Sequence, residues 1–196
     1  MRRPQLGRAL TLAIVLLLAA PATSAEILQG RVVRIADGDT LTVLDADQVQ
    51  HRVRLSGIDA PERAQPFGER SRQNLSRLVA GKPVEVRWHK RDRYGRLVGQ
   101  VWVVSPDARC QGAGCPKTLD AGLAQLTVGL AWHYKQYAGE QSAEDRERYG
   151  FAEEEARARR AGLWREADAV APWEWRRGKV RGCGVVSQRP CPAAGL

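Results

Sequence analysis

Three carboxylates and a guanidinium gather at the two ends of one short stretch of this chain, Ile35 to Glu62. Asp39 opens it within Asp37-Gly38-Asp39-Thr40, and Asp59 and Glu62 close it within Asp59-Ala60-Pro61-Glu62. Between them the pattern is that of a hairpin. Thr40 to Leu44 is β-branched and apolar, and Asp45-Ala46-Asp47-Gln48 has turn composition. In the returning arm Val49, Val53 and Leu55 fall on one face, with Gln50, Arg52 and Arg54 on the other. A turn centred on Ala46 and Asp47 sets Asp39 across from Arg54. That brings Asp39, Arg54, Asp59 and Glu62 to one end of the hairpin. Hard oxygen donors suit a divalent cation such as calcium, and the rigid fork of Arg54 suits a phosphate. A second cationic stretch, Lys90 to Arg96 with Tyr94 inside it, can follow a polyanion backbone and stack a base without reading sequence.

The elements that must hold these groups are legible from period and punctuation. Ile27 to Ile35 reads as a strand, with Ile27, Val33 and Ile35 on one side and Leu28 and Val32 on the other. Phe67 to Val79 has helical spacing, with Ser71, Leu75, Leu78 and Val79 facing one way and Gly81 as the stop. Pro83 to Trp88 and Leu97 to Val104 alternate as strands. Thr118 to Val128 reads as a helix with Leu119, Leu123 and Leu126 inward and Gly129 as its cap, followed by an aromatic loop from Trp132 to Tyr137. Glu144 to Ala161 is a long charged helix, with Glu153–Arg157 and Glu155–Arg159 spaced to pair on its surface. Gly162 ends it, and Leu163-Trp164 is expected to dock on the core. This order predicts an α+β fold, a five-stranded oligonucleotide-binding (OB-fold) β-barrel with three helices.

Residues 1–25 carry three arginines, the apolar run Ala9 to Ala20 and then Ala22-Thr23-Ser24-Ala25, which reads as a signal peptide cleaved after Ala25. The apolar run is short for a membrane span, and no cysteine stands at the cut to take a lipid. The expected organisation is a leader at 1–25, one domain at 26–165 and a tail at 166–196. The formal net charge of +9 stays positive without the leader, which favours polyanionic partners. Four cysteines allow three pairings. Their spacing favours two local bridges, Cys110–Cys115 and Cys183–Cys191. Neither pair has zinc-site spacing or a nearby histidine. His51, His89 and His133 read as surface or packing residues. Trp88 and Trp102 are expected to pack in the core or against the helices, and Trp173 and Trp175 are expected to dock the tail on the barrel.

Several segments together resemble the staphylococcal nuclease (thermonuclease) family. They are Ile35-Ala-Asp-Gly-Asp-Thr40, Val53-Arg-Leu-Ser-Gly-Ile-Asp-Ala-Pro-Glu62, Phe67-Gly-Glu69, Asp92-Arg-Tyr-Gly-Arg96, Gly129-Leu-Ala-Trp132 and Gly162-Leu-Trp164. The resemblance covers about Ile27 to Trp164 and implies the same five-stranded barrel. It implies calcium-dependent cleavage of DNA and RNA to 3′-phosphate ends. One Ca2+ would be held by Asp39, Asp59 and the backbone carbonyl of Ala60. Arg54 and Arg96 would clamp the phosphate, Glu62 would activate water, and Arg93 and Tyr94 would bind the nucleotide's terminal phosphate. Ala60 stands where the reference nuclease has threonine, and Arg93 replaces a lysine. The tyrosine lining the nucleotide pocket is Tyr134 or Tyr137. The Cys110–Cys115 insertion has no counterpart in the simplest members and is a candidate to reshape one wall of the groove.

The leading expectation is therefore an exported monomeric nuclease, periplasmic or secreted, acting on nucleic acid and without a membrane anchor after cleavage. The alternatives are a catalytically inactive nucleic-acid-binding module on the same barrel, and an envelope protein with a structural calcium site.

Overall fold

Strand β1 (Glu26–Ile35) is bordered by β2 (Thr40–Leu44) on one edge and β5 (Pro83–Arg91) on the other, both antiparallel. The computed structural model describes residues 26–110 and 112–178, so the expected leader and the Cys183–Cys191 bridge lie outside the described residues. Leu28 and Val32 turn inward while Ile27 and Val33 are exposed. The register slips between Val32 and Arg34, and that bulge returns Ile35 to the core although simple alternation puts it with Ile27.

Strand β3 (Gln50–Leu55) returns along β2 with Thr40 opposite Arg54. The expected register is thus corrected by one residue. Gln48 takes a left-handed conformation, φ 61°, which lengthens the turn, and Val49 lies outside the strand, exposed. Asp45 closes the turn by accepting the Val49 N–H at 2.8 Å. Strand β6 (Leu97–Val103) pairs antiparallel with β5 and also in parallel with β3, through Val53↔Leu97, Arg54↔Val98 and Leu55↔Gly99. That seam closes β1, β2, β3, β6 and β5 into the expected five-stranded barrel. Inside it Leu41, Val43, Val53, Leu55, Val84, Val86, Leu97, Val101 and Val103 are buried, each contributing about 1.5–3 kcal/mol.

Three principal helices cover the barrel: α1 (Gly68–Val79), α2 (Ala121–Thr127) and α3 (Ala143–Ala158). Ser71, Leu75 and Val79 of α1 face inward as expected. Helix α2 starts later than expected, because Leu119–Asp120 forms a short strand β7 on β6 and Asp120 then caps the helix, accepting from Gly122 and Leu123. Two residues of the aromatic loop, Trp132–His133, form strand β8 against β4 (Ile58–Asp59), and a 3-10 helix follows at Lys135–Glu140. Helix α3 ends at Ala158. Glu153 is buried rather than on its surface, where it accepts the His133 N–H at 3.1 Å and pairs with Arg157 at 3.4 Å. Arg159 donates to the Glu155 carbonyl instead of its carboxylate. Beyond α3, Gly129 and Gly162 approach closely: a Cβ on Gly162 would overlap the Gly129 carbonyl, and one on Gly129 the Ala161 carbonyl. That contact seats Leu163 and Trp164, which are buried. A last short helix, α4 (Pro172–Arg176), completes the described chain. No described helix is long and apolar enough to cross a membrane.

Cys110 and Cys115 form a disulfide, as their spacing suggested. Correcting the reading of the insertion, no described residue of 105–118 lines the groove described below.

Candidate active site

The Asp37-Gly38-Asp39 turn is held from behind by Gln125 of α2, fully buried. Its side-chain nitrogen donates to Gly38 O at 2.8 Å and to Ser71 O at 3.0 Å, and its oxygen accepts from Asn74 at 2.7 Å. Gly38 lies so close to Ser71 that a Cβ would overlap the Ser71 hydroxyl. The turn is therefore fixed, and with it Asp39. One Asp39 oxygen accepts the Ala60 N–H at 2.6 Å and the other the Thr40 hydroxyl at 3.0 Å. Burial pushes the Asp39 carboxyl well above its ordinary pKa, against the pull of the Arg54 charge; Asp37 and Asp59 add to the rise.

Arg54, near the end of β3, lies between two carboxylates. Nη1 stands 2.8 Å from Asp39 Oδ2, and Nη2 donates to Asp59 Oδ1 at 2.7 Å. Nη1 also donates to Ile58 O at 3.1 Å. The β4–β8 ribbon buries Asp59 completely. The structure thus brings Asp39, Arg54, Asp59, Ala60 and Glu62 together as expected.

Arg96 comes to the same face from the mouth of β6. Its turn repeats the design of the first hairpin: Gly95 is left-handed, φ 74°, and Asp92 accepts the Arg96 N–H at 3.0 Å, as Asp45 does for Val49. Asp92 also takes Arg96 Nε at 2.7 Å, while Nη1 reaches towards Thr40 Oγ1 at 3.5 Å. Burial opposes the Asp92 charge, but the Arg96 side chain and backbone donors outweigh it and lower its pKa. Beside it Arg93 donates to the Tyr94 hydroxyl at 2.8 Å, and Tyr94 is 60% exposed. These side chains, with His89, Lys90, Tyr134 and Tyr137, line a groove of about 930 Å³. Both candidate tyrosines stand there. Tyr134 stacks on Trp173 (centroids 5.4 Å, planes 11° apart), and Tyr137 lies under Lys90. His51 pairs with Asp45, His89 with Glu140, and buried His133 with Gln141, which agrees with their reading as packing residues.

Arg176 was not foreseen. From α4 it donates to Asp59 Oδ2 at 2.8 Å through Nη2 and to Glu62 Oε1 at 2.7 Å through Nη1. Burial works against its charge, yet the hydrogen bonds to Asp59 and Glu62 hold its pKa above the ordinary value. No motif connects residue 176 to the hairpin, and the sequence signal was limited to the tryptophans that dock the tail. Gln125 also escaped notice, although a glutamine between Leu123 and Leu126 on an inward helix face was a visible anomaly.

The donor set is all oxygen, with two buried carboxylates in Asp39 and Asp59 and the Arg176 guanidinium standing against Asp59 and Glu62. Among the described residues no three acidic, histidine or cysteine side chains converge on one point. A hard cation takes six to eight oxygens, so Asp39, Asp59 and the Ala60 carbonyl would hold one only with water and substrate supplying the rest.

Residues 52–166 match the family model described as staphylococcal nuclease homologue. The chain is similar to Protein ParB of Escherichia coli, 44% identical over 170 residues, or 87% of this chain and 90% of that one. It is 39% identical over 178 residues to a micrococcal nuclease of Shigella flexneri, spanning 87% of this chain and 91% of the relative. An uncharacterized endonuclease of Escherichia coli is 39% identical over 159 residues, 81% of this chain and 91% of its own length.

Proposed function

The chain belongs to the staphylococcal nuclease family, and from that premise we propose that it is a calcium-dependent phosphodiesterase, hydrolysing DNA and RNA to 3′-phosphate ends with little sequence specificity. The observation that carries this reading is the ordered cluster at the barrel mouth, with Arg54 bonded to both Asp39 and Asp59 in a groove that Arg93, Arg96 and Lys90 also line.

A phosphodiester is already anionic, so the difficulty is the further charge that develops as water attacks phosphorus. Arg54 and Arg96 supply fixed guanidinium donors at the groove, positioned before the reaction rather than during it. Glu62, at the groove edge and 40% exposed, accepts the proton of the attacking water, a contribution of roughly 10²–10⁴ in rate. The new P–O bond forms as the bond to the 5′ oxygen breaks, leaving a 3′-phosphate and, after that oxygen is protonated, a 5′-hydroxyl. Held by Asp39, Asp59 and the Ala60 carbonyl, a calcium ion would supply charge neutralisation and Lewis-acid polarisation of the phosphate.

Specificity follows from the same groove. Arg93, Tyr94, Tyr134 and Tyr137 present charge and aromatic faces, which bind backbone and stack any base. The disulfide agrees with export to an oxidising compartment, and the proposed route there is the leader at 1–25, with the mature chain a monomer.

The test is digestion of a labelled oligonucleotide by the mature protein with calcium, with magnesium and with a chelator, followed by end-group analysis. Calcium-dependent 3′-phosphate ends are expected. A folded protein that binds DNA and cleaves it under none of these conditions would be a binding module instead.

A further inference from the structure

Arg176 occupies both carboxylates that the proposed reaction needs free. It bridges Asp59 Oδ2 and Glu62 Oε1 at 2.8 and 2.7 Å, and its Nη1 lies a further 3.3 Å from Asp59 Oδ1. One of these groups is the proposed cation ligand and the other the proposed base, so the guanidinium stands where the cation and its water belong.

The segment that delivers Arg176 is anchored by contacts of its own. Gln65 accepts the Glu62 N–H at 3.2 Å and donates to Val170 O at 2.6 Å, which fastens the strap to the backbone of the site. Ala171 and Pro172 are buried. Trp173 stacks on Tyr134 and meets Trp132 edge-on at 5.6 Å. Arg176 itself is 41% exposed, so its side chain has room to leave the carboxylates while α4 stays docked.

We infer that Arg176 is a built-in competitor of the divalent cation, pairing with Asp59 and Glu62 when the cation is absent and released from both when it binds. The inference rests on reading Asp59 as a cation ligand. A guanidinium and a doubly charged ion cannot share one carboxylate edge without strong repulsion at such range. Each therefore lowers the affinity of the site for the other, by the same factor in both directions. While Arg176 is in place, Glu62 is also engaged as an acceptor and cannot take a proton from water. The strap thus sets the cation concentration at which the site opens. Asp59 keeps Arg54 as a partner throughout, so the exchange leaves no buried carboxylate bare.

Calcium binding measured by calorimetry on the full chain tests this without recourse to activity, comparing wild type, Arg176→Gln and Arg176→Lys. The Gln variant is expected to bind calcium more tightly, by roughly 5- to 150-fold, the usual span of coupling between competing sites. The Lys variant, which keeps the charge, should stay closer to wild type. Equal or weaker binding by the Gln variant overturns the inference and leaves the cation site standing. No calcium binding by wild type or variant overturns the cation reading and this inference with it. Wild type alone provides a second readout. Exchange of the Arg176 guanidinium protons should speed up on addition of calcium, and an unchanged rate would overturn the competition even if the Gln variant failed to fold.

Discussion

Asp59 and Arg176 lie 117 positions apart in the chain and meet through two hydrogen bonds, one of 2.8 Å to Oδ2, the oxygen Arg54 leaves open, and one of 3.3 Å to Oδ1, which Arg54 shares. Opposite charges therefore alternate in a row: Asp39, Arg54, Asp59, Arg176, Glu62. Members deep in the row have both neighbours to lose, and those at its rim have one.

Arg54→Ala strips the shared partner from two buried carboxylates. It is expected to cost about 3–5 kcal/mol of stability, the range for breaking a buried pair, together with most of the turnover. Arg96→Ala unmakes the partly buried pair with Asp92 and the long contact to Thr40. It should cost less stability than Arg54→Ala, because Asp92 keeps the backbone donors of Tyr94 and residue 96, while kcat falls about 10²–10³-fold. Chemical denaturation alongside oligonucleotide cleavage separates the two. Near-normal turnover in either variant removes that arginine from the mechanism.

Asp39 holds its proton further up the pH scale in the folded protein than its ordinary 3.8. That extra proton affinity favours the fold fully below 3.8, and the contribution is lost as pH rises through the raised value. Calcium requires the ionised carboxylate, so affinity should rise with pH across the same interval and then level off. Binding within the interval should expel a proton. Calorimetry in two buffers of different ionisation enthalpy measures the release, and Asp39→Asn should abolish it. Release that persists unchanged in the Asn variant would place the titrating ligand elsewhere.

Gln125→Leu removes the clamp on Gly38 without touching the groove. Two buried partners, Gly38 and Ser71, and the half-buried Asn74 then lose a bond, at a cost of about 1–3 kcal/mol for each buried group left unsatisfied. Because Asp39 follows directly, calcium affinity should fall as well. A variant that is less stable yet binds calcium as tightly as wild type would make Gln125 a packing residue only.

Replacing Cys110 and Cys115 together with serine opens a loop of sequence separation 5 and should cost about 2 kcal/mol by the loop-entropy relation. As no described residue of 105–118 lines the groove, kcat should not move. A changed kcat in a folded variant would bring that loop into the site.

What the sequence disclosed followed its own locality. The barrel strands, the inward face of α1 and the meeting of Asp39 with Arg54 all arise from alternation or punctuation within a few dozen residues. The hairpin register slipped because one residue, Gln48, adopted a left-handed conformation usually left to glycine or asparagine. On α3 the Glu153–Arg157 pair forms as its spacing suggested, but not on the open surface, since β8 packs over Glu153 and turns a helix-face charge into a buried acceptor. Arg176 and Gln125 were out of reach for the same reason: neither belongs to a local pattern, and each acts on residues the chain brings near only after folding.

The β3–β6 seam joins just Val53, Arg54 and Leu55 to Leu97, Val98 and Gly99. Its two sides are hairpins that form from contiguous chain, one bearing Asp39 and Arg54, the other Arg96. Bringing them together closes a long loop, a step slower than either hairpin. The guanidiniums of Arg54 and Arg96 become neighbours only at that closure. Competence for the reaction is then a late event in the life of the chain: a newly made or partly melted molecule with both hairpins intact but the ring still open has no site to act with.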